Sequence, residues 1–229
     1  MIQPGTLRSE TPPLAGEQRP RLRGVIHQYA FYLSLPIGAA LVLSAPTVGD
    51  AGAAGIYAVA VSALLGVSAL YHRMTWSPIA RRRMRRLDHS MILVLIAASY
   101  TALALLVLHG ALSQAILIAI WAAALLGVAV NLLWIDVPKP LSATAYATVA
   151  LLSVPVVPQL FERLGPLGIA WIVLAGLLSA AGGVTYALRR PNPWPGVFAY
   201  HEVFHALVVA GVGALYLAIA FYALPAAGG

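Results

Sequence analysis

Near the start of its last apolar run the chain reads Tyr200-His201-Glu202-Val203-Phe204-His205, two histidines and a glutamate ahead of ALVVAGVGALYLAIAFYAL. Ionisable groups beside hydrocarbon are costly and usually mark a working site. His201 and His205 stand four residues apart, so on a helix both imidazoles share one face. Neutral imidazoles are ligands for Zn2+, but two of them do not complete a site. The string also matches H-E-x-x-H, in which two histidines bind zinc and the glutamate is the general base of a metalloprotease. The plainer role for Glu202 is an acid in the first turn of a helix, stabilised by the helix dipole.

The elements that position these groups are membrane spans. Of 229 residues, 61% are hydrophobic and 9% charged, whereas a soluble domain is nearer half apolar and a quarter charged. The apolar residues fall in seven runs, each about the 17–25 residues that one bilayer-spanning helix needs. They are Val25 to Leu43, Gly55 to His72, Leu87 to Leu108, Gln114 to Trp134, Leu141 to Leu160, Leu167 to Leu188 and Phe198 to Leu224. The expected fold is an all-α membrane protein, a seven-transmembrane helix bundle. Residues 1–24 form a disordered tail poor in large apolar residues, 25–224 the membrane domain and 225–229 a short outer tail. The first run follows a polar, Pro-rich stretch and lacks a cleavage pattern, so it is not read as a signal peptide. With no cysteine, there is no disulfide, thiolate metal site or cysteine nucleophile.

Charge sets the orientation. The net charge is +7, and the basic residues cluster in the tail (Arg8, Arg19, Arg21, Arg23), the second connection (Arg73, Arg81, Arg82, Arg83, Arg85, Arg86), the fourth (Lys139) and the sixth (Arg189, Arg190). The odd connections carry only Arg163. Lys and Arg favour the cytoplasmic side of short loops, which puts the N-terminus in the cytoplasm and, with seven spans, the C-terminus outside. The Arg81–Arg86 run then anchors the topology and touches anionic lipid. A nucleic-acid role lacks the motif and aromatic context it needs. The localisation that follows is the cytoplasmic (inner) membrane, multi-pass.

That orientation brings further residues to the depth of His201 and His205. His72 ends the second run and Asp88 opens the third, both at the cytoplasmic end. Ser68 precedes His72 by one turn, on the same face. Three imidazoles from two helices can hold Zn2+ and leave a fourth position for water, a catalytic type of coordination. Asp88 can hydrogen-bond that water or a ligand histidine. The competing interpretation is that these histidines are interfacial side chains reaching for headgroups.

The chain resembles the haemolysin III family, in the superfamily of the progestin and adipoQ receptors, with alkaline ceramidases more distant. The residues that carry the resemblance are RPRLRGVIH (19–27), SALYHR (68–73), RRLDHSMILVLIAASYT (85–101) and RRPNPWPGVFAYHEVFHALVV (189–209), and above all S-x-x-x-H, then D, then H-x-x-x-H in that order. The resemblance implies a seven-helix bundle with zinc near the cytoplasmic face. It implies ligands His72, His201 and His205, with Asp88 toward the bound water and Ser68 beside it. Relatives hold the last two histidines without the intervening glutamate, which counts against a base role for Glu202. Ala199 stands where glycine is expected.

Other polar residues carry less. His89 points about 100° from Asp88 on a helix and is expected at headgroups or in packing. His27 lines the bundle entrance, and His109 lies at the far end of the third run. Ser99 and Asn131 are expected in interhelical hydrogen bonds. Pro36 and Pro155 are expected to kink their helices. Gly168, Gly176, Gly182 and Gly183 are expected to let helices approach closely. PNPWPGVF (191–198) forms an interfacial turn that sets the register of the last helix.

The expected chemistry is hydrolysis, with His72, His201 and His205 on Zn2+, Asp88 as general base and Ser68 donating to the developing oxyanion. The expected partners are membrane lipids, with an amide- or ester-linked lipid entering from the bilayer as substrate. The alternatives are a non-enzymatic sensor or regulator of membrane state with structural zinc, a pore-forming cytolysin, and an intramembrane metalloprotease using H-E-x-x-H. The oligomeric state stays open.

Overall fold

The computed structural model describes residues 20–134, 151–152 and 154–228. The described chain is helical: α1 (Val25–Leu43), α2 (Val48–Arg73), α3 (Pro78–Val107), α4 (Gly110–Leu133), α5 (Val157–Leu188) and α6 (Tyr200–Ala218). A 3-10 turn, Val154–Val156, leads into α5. A π-helical turn, Ile219–Ala223, and a last turn, Leu224–Ala227, extend α6. Among the described residues six helices are long and apolar enough to cross a membrane. The fifth expected span, Leu141 to Leu160, lies largely outside the described residues, and its last four residues belong to α5.

α2, α3 and α4 start earlier than their apolar runs, while α1 starts with its run and α6 slightly after, because local capping sets a helix end and hydropathy does not. α2 starts at Val48, where the Thr47 hydroxyl accepts the Asp50 N–H at 3.2 Å. α3 starts at Pro78, with the Ser77 hydroxyl accepting the Ala80 N–H at 3.3 Å and proline in the first turn, a favoured N-cap followed by a residue whose fixed φ suits a first helical position. The arginines 81–86, expected in a connection, are therefore helical, and arginine is a good helix former. α5 starts at Val157 and is interrupted at Gly165 (φ 66°), just before Pro166. Pro36 lies inside α1. Pro155 sits in the 3-10 turn and not inside a helix.

The bundle packs α1 on α2, α2 on α3, α3 on α4 and α5 on α6. Its interior is Ala53, Ala54, Tyr57, Ala97, Ala102 and Ile120, while Leu43, Val59, Ile118, Leu126 and Leu188 point outward and are exposed. Apolar residues on both faces fit a helix that meets lipid. Polar ties cross between helices: the Tyr57 hydroxyl donates to the Val212 carbonyl at 2.8 Å, and Trp121 Nε1 donates to Thr101 Oγ1 at 2.9 Å. Ser99 instead donates to Leu95 within its own helix, at 2.7 Å. Of the four glycines expected at close contacts, Gly168 faces Tyr222 and Gly182 faces Phe204, whereas Gly176 and Gly183 face open space.

One end of this bundle is closed by the segment before α1. The Arg21 and Leu22 N–H groups donate to the Gly196 and Val197 carbonyls at 3.0 and 3.2 Å. The expected turn 191–198 thus receives the N-terminal segment as well as leading into α6. Gly24 follows with φ 78°. A Cβ there would lie 2.6 Å from the His72 Cβ, so this left-handed, close approach requires glycine.

Candidate metal centre

α6 begins at Tyr200 behind Ala199, a residue with no polar side chain to cap the helix. Glu202 supplies the missing partner: its Oε2 accepts the Ala199 N–H at 2.9 Å, the reciprocal half of a capping box. Its Oε1 lies 2.6 Å from the Arg23 Nε, and the carboxylate is fully buried. Glu202 thus ties the N-terminal segment, through Arg23, to the start of its own helix, through Ala199. With that turn fixed, His201 and His205 project from one face of α6 toward His72, in the last turn of α2.

The three imidazoles meet. His72 Nε2 lies 3.1 Å from His201 Nε2. The ring centroids of His201 and His205 are 4.5 Å apart, and those of His72 and His205 are 5.0 Å apart. One nitrogen from each of the three lies within 4.8 Å of the others. His205 is buried, and its Nδ1 has no hydrogen-bond partner. Ser68, also buried in α2, lies beside Asp88 of α3. The five residues expected to act together are drawn from α2, α3 and α6.

Asp88 does not open α3. It lies well inside the helix, and the arginine-bearing turns extend past it. The resulting cavity of about 460 Å3 is lined by His72, His201, Asp88 and His89, with Arg23, Arg81, Arg82 and Arg85 among the rest. His89 therefore faces the same space as Asp88. His109 caps α4 and meets Arg163, away from these groups.

Two functional neighbours escaped the sequence reading. His27, expected only at the bundle entrance, is buried with its ring stacked on His205, centroids 3.8 Å apart and planes 9° apart. The His205 backbone approaches it, but neither His27 ring nitrogen reaches hydrogen-bond geometry. Arg23, counted only among the tail's charges, is the partner of Glu202. A signal for it was present: a glutamate buried at a helix start requires a cation, and RPRLRG supplies nearby candidates.

The residues suit a metal ion. Ligand nitrogens around a tetrahedral Zn2+ at about 2.0–2.1 Å stand roughly 3.3 Å apart, close to the His72–His201 separation. A buried imidazole nitrogen without a partner costs about 1–3 kcal/mol, and a metal ion satisfies such a lone pair.

Sequence comparison agrees with this architecture. The family described as "Haemolysin-III related" matches residues 16–216. The chain is 27% identical to the Hemolysin-3 homolog of Bacillus subtilis (strain 168) over 201 residues, 86% of this chain and 91% of that protein. It is 27% identical to Hemolysin-3 of Bacillus cereus over 206 residues, 89% and 91% of the two chains. A shorter stretch of 55 residues is 40% identical to the adiponectin receptor protein of Drosophila melanogaster, 22% of this chain and 12% of that one. With a match over most of its length and helices apolar enough to cross a bilayer, the chain belongs to the haemolysin III family and is a multi-pass membrane protein.

Proposed function

We propose that this protein is a zinc-dependent hydrolase of amide- or ester-linked lipids, with its site at the cytoplasmic end of the bundle in the inner membrane. The observation that carries the proposal is the convergence of His72, His201 and His205 beside the Ser68–Asp88 pair. His72, His201 and His205 hold the metal; three nitrogen donors with a place left for substrate are the pattern of catalytic zinc. When bound, zinc lowers the pKa of water toward ~7 and polarises a carbonyl.

The protein's own groups supply the rest. Asp88 faces the cavity and accepts the proton of the attacking water as general base. Ser68 has one hydroxyl proton to donate. Beside Asp88, it steers the carboxylate; turned toward a bound carbonyl, it serves the oxyanion. His27 holds the plane of His205 by stacking. Glu202 takes no part in proton transfer on this reading, because both its oxygens are engaged with Arg23 and Ala199. That argues against a protease mechanism built on H-E-x-x-H.

A second reading rests on the same triad. It joins α2 to α6, so bound zinc would also brace the bundle of a non-enzymatic sensor. Metal analysis of the purified protein, with extracted membrane lipids assayed for released fatty acid, tests both. About one zinc per chain and fatty-acid release that depends on Asp88 supports the hydrolase. Zinc without turnover of any lipid moves the reading to the brace, and chelator-free protein without metal ends both.

A further inference from the structure

The cavity beside His72 and His201 is mainly cationic. Arg23, Arg81, Arg82 and Arg85 line it, with Asp88 as its acid. Arg23 is committed to Glu202. Arg81, Arg82 and Arg85 come from the N-terminal turns of α3, whose first turn holds no acid. Cations at the positive end of a helix dipole are disfavoured, whereas anions are favoured there. Arg81, Arg85 and Asp88 stand at spacings of four and three residues, on one helix face. They descend about 10 Å from the mouth of the cavity toward Ser68 and the histidines.

We propose that Arg81, Arg82 and Arg85 form a phosphate-binding subsite in this cavity, so that the metal centre acts on acidic, phosphate-bearing amphiphiles. Each guanidinium presents five donors in a planar fork suited to phosphate. A phosphate offers such forks more acceptor oxygens than a carboxylate does. The geometry orders the ligand as well: its anion sits on the upper turns of α3, and the bond to be cleaved lies one to two turns deeper, beside Asp88. The inference rests on the hydrolase reading for that second half only. The general alternative is that these arginines serve the membrane surface, as polybasic segments do. Arg83 and Arg86 belong to the same run but do not line the cavity, so the two accounts part at the level of single residues.

The test uses full-length protein in neutral detergent, with zinc content measured in every sample. Native mass spectrometry counts bound phosphatidic acid, phosphatidylcholine with the same acyl chains, and inorganic phosphate. Wild type is expected to prefer phosphatidic acid to phosphatidylcholine by at least about tenfold, the scale of one charge-assisted hydrogen bond. Arg81→Gln/Arg82→Gln/Arg85→Gln should lose that preference and keep its zinc, while Arg83→Gln/Arg190→Gln, with two charges removed elsewhere, should keep both. The lysine triple variant, which retains charge and loses the forks, should fall between and guards against misfolding of the glutamine variant. Inorganic phosphate separates the sources: arginine-dependent binding of phosphate without the lipid assigns a soluble ligand, and binding of phosphatidic acid alone assigns a headgroup. A preference that survives in both triple variants, or that the Arg83/Arg190 variant loses equally, overturns the subsite. Arginine-dependent binding in protein that never holds zinc sinks the hydrolase reading alone; zinc without arginine dependence sinks the subsite alone.

Discussion

Arg23 and Glu202 form a part-buried ion pair, Nε to Oε1 at 2.6 Å, between the segment ahead of α1 and the first turn of α6. The two partners are unequal, since the arginine side chain is 22% exposed and the carboxylate 0%. Arg23→Ala therefore strands a buried charge, a change of about 3–5 kcal/mol. Glu202→Gln leaves an acceptor for the Ala199 N–H and an arginine that water can reach, so its cost should be nearer ~1–2 kcal/mol. Thermal unfolding of the two variants should show that order. Zinc content of Glu202→Gln should match wild type, and so should any lipid turnover. If turnover vanishes while zinc and fold are kept, Glu202 is a base and the capping role is secondary.

Gly24 provides an independent probe of the same junction. Its φ of 78° and the 2.6 Å that would separate a new Cβ from His72 Cβ make Gly24→Ala doubly unfavourable. The backbone strain alone is on the order of 1–3 kcal/mol. Relief of the clash must displace His72 or the segment that carries residue 24. The expected result is a lower melting temperature together with weaker zinc binding. A stability loss with unchanged zinc affinity would mean that the segment yields instead, or that His72 lies outside the ligand set.

His27 lies flat on His205, centroids 3.8 Å apart. Since neither of its ring nitrogens is hydrogen-bonded, phenylalanine should replace it with little loss: the stack remains and no polar contact disappears. His27→Ala removes the stack, frees the His205 ring and should weaken zinc binding by about 10–100-fold, as loss of an orienting group does. Competition against a zinc chelator reads both. If His27→Phe loses zinc as steeply as His27→Ala, the ring acts through a nitrogen and His27 is itself a ligand.

Which of these relationships the sequence discloses depends on distance along the chain. His201 and His205 declare a shared face through their spacing, and Ser68 and His72 do the same. The first span, Val25 to Leu43, coincides with α1, because a long apolar run bounded by arginines and a turn has few other solutions. The start of α3 was misplaced, since hydropathy ends at Leu87 whereas Ser77 and Pro78 carry the helix back through the arginines. That error hid the cavity, because arginines read as a loop cannot line a wall above Asp88. The stack of His27 on His205 joins residues at opposite ends of the chain, and no local pattern marks such a pair. His72, Asp88 and His201 line one cavity, a long-range relation that the sequence suggests only because a membrane would give every span a common coordinate.

The placement of Arg and Lys predicts the orientation. A reporter fused after Trp76, in the short connection between α2 and α3, is expected to be active in the cytoplasm, and one after Gly229 on the outer side. Both outcomes together require an odd number of spans, and so one more than the six long apolar helices among the described residues. Two cytoplasmic reporters would mean an even count and remove the seventh span; an external reporter after Trp76 would move the metal centre to the other face.

The sharpest test contrasts the ligands with the groups beside them. His205→Ala leaves two imidazoles, so zinc affinity should collapse. Stability should fall with it, since metal bound only by the folded state adds to folding free energy. Asp88→Asn keeps the shape and all three imidazoles. It should retain zinc, with an affinity loss of roughly 10–100-fold at most, yet turnover should drop steeply because an amide cannot accept the proton of the attacking water. Ser68→Ala should also retain zinc. Its rate should fall by about 10²-fold if the hydroxyl serves the oxyanion, and by less if it acts only by steering Asp88. Zinc lost from Asp88→Asn as completely as from His205→Ala would make Asp88 a ligand and leave the base unassigned. Zinc kept by all three variants would place the metal elsewhere, and the convergence of His72, His201 and His205 would then be a packing feature of the bundle.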